Sequence, residues 1–167
     1  MSPELGPVHV RRARLVEAQA IAELNNHFAD AALMLPRTPE AVALSIDDYV
    51  VAVTPRGTVV GCGALKEYSP SLAEVAAVAV AAQAHGRGLG RQIVAAVESL
   101  ALKRGIADLF ALTLQPGFFE AVGYERADRA SYPEKVRRDC IGCARRAACS
   151  EVCLAKRLEV SALEAAA

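Results

Sequence analysis

Between Val78 and Arg104 an apolar run enters a loop with glycine at three alternate positions, Gly86, Gly88 and Gly90. The loop opens directly into Arg91-Gln-Ile-Val-Ala-Ala-Val-Glu-Ser-Leu-Ala-Leu-Lys-Arg104. The run reads as a buried strand and the last segment as a helix. The first amides of a helix lack intrahelical partners, and the helix dipole makes that end partly positive. Glycines there leave the amides uncovered, so strand, loop and helix start form a cradle for a diphosphate-like anion. A plain connecting turn is the blander reading, but such turns seldom need three alternating glycines. Spacing excludes two other phosphate loops. Gly-x-x-x-x-Gly-Lys-Ser/Thr is missing, and Gly-x-Gly-x-x-Gly fails because its third glycine would stand at Arg91 or Ile93.

Composition narrows the class. The chain has 167 residues, enough for a single domain over 1–167 with a sizeable core. Nineteen Lys and Arg balance nineteen Asp and Glu, so no charge excess points to nucleic acid or a membrane surface. Met1-Ser-Pro-Glu-Leu-Gly-Pro7 has no apolar stretch behind a basic start, and no run approaches the ~20 apolar residues of a membrane span. The cytoplasm is the expected compartment.

Periodicity predicts a strand over Val8–Arg14 and a helix over Glu17–Ala31 with Ala20, Ile21, Leu24 and Phe28 on one face. A loop follows over Leu33–Thr38, then a helix start at Thr38-Pro-Glu40. Tyr49–Val53 and Thr58–Lys66 read as a hairpin, and Leu72–Val80 as the next strand. Beyond the cradle helix come a strand at Leu109–Leu114, a short helix at Pro116–Val122 and a last strand at Val152–Val160. The tail, 161–167, reads as flexible. Antiparallel strands followed by strand–helix–strand give an α+β domain in three layers, α/β/α.

Val80-Ala-Ala-Gln-Ala-His-Gly-Arg-Gly-Leu-Gly90 resembles the acetyl-CoA loop of the GNAT superfamily of N-acetyltransferases, whose pattern is Arg/Gln-x-x-Gly-x-Gly/Ala. Gly88 and Gly90 match its small positions. His85 departs from it, with Arg87 and Arg91 placed to supply the missing cation. The resemblance implies the GNAT fold, with a central mixed, mostly antiparallel sheet. It also implies acetyl-CoA as co-substrate, held by Val78, Ala79, Val80, His85, Gly86, Arg87, Gly88, Leu89, Gly90 and Arg91. The backbone of His85 is expected to donate to the cofactor even where its side chain does not.

Gly61-Cys-Gly-Ala-Leu65, Ala73–Val80, Leu109–Thr113 and Gly117–Tyr124 resemble segments of short bacterial N-acetylglutamate synthases. So do the loop Met34-Leu-Pro-Arg-Thr38 and the segment Lys135–Cys143. That likeness implies transfer of acetyl to the α-amine of an amino acid, glutamate above all, at the entry to arginine synthesis.

The chemistry needs an amine deprotonated, a thioester carbonyl polarised and a thiolate released. Glu74 is the one carboxylate inside an apolar strand and resembles the family's base; a solvent-facing strand entrance is its plainer reading. Backbone N–H groups near Val78–Val80 would polarise the thioester. Many relatives carry a Phe-Tyr pair in the short helix, whose tyrosine protonates the thiolate. Here the pair is Phe118-Phe119, so no dedicated acid is expected. Tyr124 reads as core. Arg37 suits a substrate carboxylate, because its planar guanidinium donates bidentately from a proline-stiffened loop; an exposed structural arginine is the alternative.

Cys140-x2-Cys143-x5-Cys149-x3-Cys153 places four cysteines within fourteen residues. Zinc held by four thiolates and plain structural thiols are both open readings. Cys62, between two glycines, reads as a small buried residue. Two other function classes stay open. One is acetylation of another small amine or a protein N-terminus; the other is a non-catalytic acyl-CoA-binding or metal-sensing module. The expected partners are a small-molecule amine and acetyl-CoA, with a second copy of the chain as a further candidate.

Overall fold

The computed structural model describes residues 5–160, so the expected flexible tail at 161–167 lies outside the described residues. Seven strands occur among the described residues: β1 (His9–Arg12), β2 (Tyr49–Val53), β3 (Val59–Ser69), β4 (Leu72–Val80), β5 (Asp108–Thr113), β6 (Glu125–Arg126) and β7 (Val152–Arg157). The helices that concern the site are α1 (Ala18–Asp30), α2 (Pro39–Leu44), α3 (Leu89–Lys103), α4 (Pro116–Ala121) and α5 (Pro133–Lys135). A wide π-helical turn over Val136–Cys140 prolongs α5. The class is α+β, as the order of elements predicts.

The chain forms two compact units. One runs to Leu65 and resumes over Val75–Leu100; the other takes Lys66–Glu74 and everything from Ala101 onward. In the first, the hydrogen-bonded strand order is β1-β2-β3-β4, with β2 antiparallel to both β1 and β3. β2 lies inside this order, and all five of its residues, Tyr49 to Val53, are buried. Its apolar content needs no alternation because both faces are covered. Ile21 and Ala22 of α1 and Val42 of α2 belong to the same core cluster as Tyr49, Val51 and Cys62.

Helix α3 shows why the sequence places glycine at 61 and 63. A β-carbon at Gly61 would come within 2.7 Å of Ile93 Cδ1, and one at Gly63 within 2.6 Å of Ile93 Cγ2. Only bare backbone on β3 lets Ile93, fully buried, seat the helix that closely. The apolar stripe Leu89, Ile93, Val97 and Leu100 is buried along its length. Packing thus fixes the N-terminal end of α3 against the sheet.

In the second unit β4 pairs in parallel with β5 from Leu72↔Asp108 to Glu74↔Phe110. β5 and β6 each pair antiparallel with β7. Strands β1 and β7 are shorter than expected, ending at Arg12 and Arg157. β6 and the helical segment over 133–140 carry too little apolar periodicity to be read beforehand.

Gly63→Val should lower stability by about 1–3 kcal/mol, since Ile93 is β-branched and cannot swing clear. Urea unfolding followed by circular dichroism measures this. Gly63→Val/Ile93→Ala should recover part of the loss; equal midpoints for Gly63→Val and the parent chain would refute the close seat.

Candidate active site

The cradle is built as the glycine spacing predicts, though for a more specific reason. Gly86 and Gly88 have φ of 75° and 72°, and a β-carbon at either would meet nothing within 4 Å. Backbone conformation, not crowding, selects glycine here. Gln92 donates its amide to Gly88 O at 3.2 Å, the first bond of α3. The amides of Leu89, Gly90 and Arg91 therefore precede the helical ladder and point from its N-terminus. Arg87 and Arg91 are exposed, and Arg87 Nη2 donates to Gly6 O at 2.7 Å.

His85 behaves differently from the expectation. Its Nε2 lies 2.7 Å from the carbonyl of Val80, and its backbone N–H donates to Ala82 O at 3.2 Å. Ring and amide both fasten the end of β4 to the short turn after it. Both Nε2 and the amide are thus engaged within the loop.

Upstream on β4, the half-buried Val78 and Val80 alternate with the buried Ala77 and Ala79. Ala77 has φ 53°, a conformation costly for a residue with a side chain, and it turns the peptide planes of the strand at that point. Cys62 is fully buried, with Sγ 3.4 Å from Ala77 O. Burial pushes its thiol up to about 12, which keeps it a neutral filler as expected.

Arg37 is half-buried and held from behind. Asn26 Oδ1 accepts its backbone amide at 2.8 Å, and Asn26 Nδ2 donates to its carbonyl at 2.7 Å. Asn25, fully buried, ties the same loop through Leu35 O at 2.9 Å. The Arg37 guanidinium donates to the Tyr49 hydroxyl at 3.3 Å, while its buried Nε has no partner among the described residues. An arginine with a fixed backbone and an unanswered Nε is ready for a planar anion.

Glu74 is only 5% exposed. Lys135 Nζ and the Tyr68 hydroxyl both donate to its Oε2 at 2.9 Å. Both donors also reach Asp139: Lys135 Nζ lies 3.0 Å from Asp139 Oδ2, and the Tyr68 hydroxyl makes a short bond to the same atom. Lys66 completes the group at 2.7 Å from Asp139. Two carboxylates thus share a phenol and an ammonium, and Glu74 Oε1 takes no part in those bonds. Burial works against the Lys135 ammonium, but the charge of Glu74 and the bonds to both carboxylates outweigh it and raise its pKa. Burial and the two carboxylates hold Tyr68 far above the usual phenol range, so its hydroxyl keeps its proton. Sequence reading found Glu74 but missed Tyr68, Lys66, Lys135 and Asp139. The available signal was Lys66 and Tyr68 on one strand face and Lys135 four residues before Asp139.

Phe119 is buried edge-to-face against Tyr124, which is 2% exposed and belongs to the core, as the sequence predicts.

The reading of a four-cysteine metal site needs correction. Among the described residues no three His, Cys, Asp or Glu side chains are grouped to hold a metal ion, and all five cysteines are unbridged. Cys153 is buried in β7, while the exposed Cys149 accepts from both Nη atoms of Arg129 at 3.5 Å. Burial pushes the Cys153 thiol up to about 11 and raises Cys140 as well. Cys140, Cys143, Cys149 and Cys153 do not come together as ligands. No helix among the described residues is long and apolar enough to cross a membrane.

Comparison with known proteins gives a consistent picture. A family model described as an acetyltransferase (GNAT) domain matches residues 45–126. The uncharacterized N-acetyltransferase CT2212 of Chlorobaculum tepidum is 37% identical over 149 residues, covering 89% of this chain and 96% of that protein. An amino-acid acetyltransferase of Mycobacterium tuberculosis is 32% identical over 117 residues, covering 69% of this chain and 67% of that protein. The fold also superimposes on N-acetylglutamate synthase from Neisseria gonorrhoeae, solved with coenzyme A and N-acetyl-glutamate. The TM-score is 0.82 at 27% identity, over 93% of this chain and 36% of that larger one.

Asp139 gives a pH prediction. Burial raises its pKa, but the bonds from Lys66, Tyr68 and Lys135 outweigh that and hold it well below the usual carboxylate range. Its stabilisation is complete above the unfolded-state value, about 4, and fades as pH falls through the depressed folded value. Asp139→Asn should therefore lose less stability than the parent between about pH 4 and pH 2. Urea unfolding across that range tests this; parallel curves would show that Asp139 contributes nothing.

Proposed function

The chain belongs to the GNAT superfamily of N-acetyltransferases, and on that premise we propose that it transfers acetyl from acetyl-CoA to the α-amine of an amino acid, glutamate foremost. The reaction would serve the entry step of arginine synthesis. The observation that carries this reading is Arg37, with its backbone bracketed by Asn26 and its buried Nε unanswered. A guanidinium presented in this way fits a substrate carboxylate better than it fits a polyamine or another cationic acceptor. The amino-acid acetyltransferase and N-acetylglutamate synthase relatives support the same class.

In this mechanism the amides at the start of α3 bind the diphosphate of acetyl-CoA. Backbone N–H groups of the turned segment Val78–Val80 polarise the thioester carbonyl. Glu74 takes a proton from the substrate ammonium through Oε1, directly or through water, and the free amine attacks the carbonyl carbon. The tetrahedral intermediate collapses with loss of the CoA thiolate, and the second proton of the attacking nitrogen passes to water or to the departing thiolate. A thiol whose pKa is about 8.5 leaves without a dedicated acid.

Two variants and a screen test the proposal. Acetyl-CoA consumption measured against the common amino acids should single out glutamate or a close analogue; turnover only with polyamines or peptide N-termini would replace the substrate class. CoA binding without turnover on any amine would favour a non-catalytic acyl-CoA module.

Arg37→Lys should raise the amino-acid KM by roughly tenfold while the acetyl-CoA KM stays put, because the charge survives but the fork does not. Identical constants would remove Arg37 from the site.

Gly88→Val has open space for its side chain but cannot readily hold φ near 72°. CoA affinity by calorimetry should fall by about tenfold or more, and an unchanged value would end the cradle assignment.

A further inference from the structure

We propose that Lys135 is a positioning residue of the acetyl-transfer site: it fixes the Glu74 carboxylate by Oε2 and, as the cation in contact with it, leaves Oε1 to take the amine proton. This rests on the reading of Glu74 as the base.

Three observations lead to it. Lys135 Nζ is bonded to Glu74 Oε2 at 2.9 Å, with side chains only 14% and 6% exposed, so water screens the pair poorly. Lys135 is itself aimed by Asp139, four residues on at 3.0 Å, across the wide turn that prolongs α5. A single π-turn of this kind is uncommon, and it places both residues where they meet β3 and β4. Finally, both donors converge on one carboxylate oxygen, a grip that orients the group while leaving the other oxygen out of the cluster.

The charges that face Glu74 come from several elements. β3 supplies the Tyr68 hydroxyl and, through Asp139, Lys66. The segment 133–140 supplies Lys135 and Asp139, and Arg138 lies 5.0 Å over the Tyr68 ring. Just before β7 stands Glu151, whose carboxyl is raised by its own burial and by the charge of Glu74. The position opposite Glu74 on β5 is the neutral Phe110. Within this set Lys135 is the cation in direct contact with Glu74, and Asp139 is the anion that shares both of its donors. Removing one or the other should therefore move the acid limb of the rate profile in opposite directions.

The experiment is the pH profile of kcat/KM for the amino acid in the full chain, with Lys135→Met, Lys135→Arg, Asp139→Asn and Glu74→Gln. The acid limb should move up by about one pH unit in Lys135→Met, so that activity lost on the acid side returns at higher pH. Lys135→Arg should leave the limb near its parent position. Asp139→Asn should move it down. Titration of the substrate amine is common to all forms and cancels in the comparison. A limb unmoved in Lys135→Met, with activity lowered evenly at every pH, would make Lys135 merely structural and overturn the inference. If Lys135→Met does not fold, judged by its melt and its CoA affinity, the Asp139→Asn limb decides: a downward shift supports the inference, and no shift or an upward one overturns it. The base reading fails separately, if Glu74→Gln retains the acid limb.

Discussion

A carboxylate buried in an apolar strand is the constraint around which one of the two units is arranged. Alone, Glu74 would face a desolvation cost of several kcal/mol, and a protein lowers that cost only with donors held in place. Its donors come from the neighbouring strand and from far along the chain. Tyr68 sits on β3, and Lys135 on the helical segment after Pro133. Asp139 then holds both donors and ties in Lys66. Arg138 donates to the carbonyl of Glu67 at 2.9 Å, adding a backbone tie between the same two segments. A stretch with little apolar content is thereby pinned by charge and hydrogen bonds where hydrophobic burial would not suffice.

The other unit solves a different problem, the presentation of bare amides at a fixed place. Here the agents are absent side chains. Gly61 and Gly63 let Ile93 press α3 onto β3, and Gly86 and Gly88 let the preceding loop take positive φ before Leu89 opens the helix. Hydrophobic packing sets where the helix lies, and backbone stereochemistry sets how the chain enters it. The His85 contacts with Val80 and Ala82 close the loop from the strand side. The position that departs from the family pattern has become a structural fastener.

These differences explain what could be read in advance. β4 was legible to the residue, Leu72–Val80, because an apolar run bounded by Pro70-Ser71 and a glycine loop has few other forms. α1 and α3 were legible from their apolar stripes. Glu74 stood out as a lone charge in such a run, whereas its partners did not. Tyr68 and Lys66 look like the polar face of any hairpin, and Lys135 and Asp139 lie in a charge-rich segment where most side chains are simply solvated. Pairing across 61 residues between Glu74 and Lys135 leaves no local periodicity to detect. The cysteine cluster misled for the converse reason: close spacing in sequence suggested one site, but Cys153 is buried in the strand that begins at Val152, while Cys149 before it is exposed.

The two carboxylates of the cluster also show how one environment assigns different tasks to similar groups. Asp139 Oδ2 receives Lys66, Lys135 and Tyr68, so its charge is satisfied three times over and it has little tendency to take a proton. Glu74 receives two donors, both on one oxygen. Tyr68, held protonated between the two carboxylates, has a single hydroxyl hydrogen and can serve only one of them fully at a time.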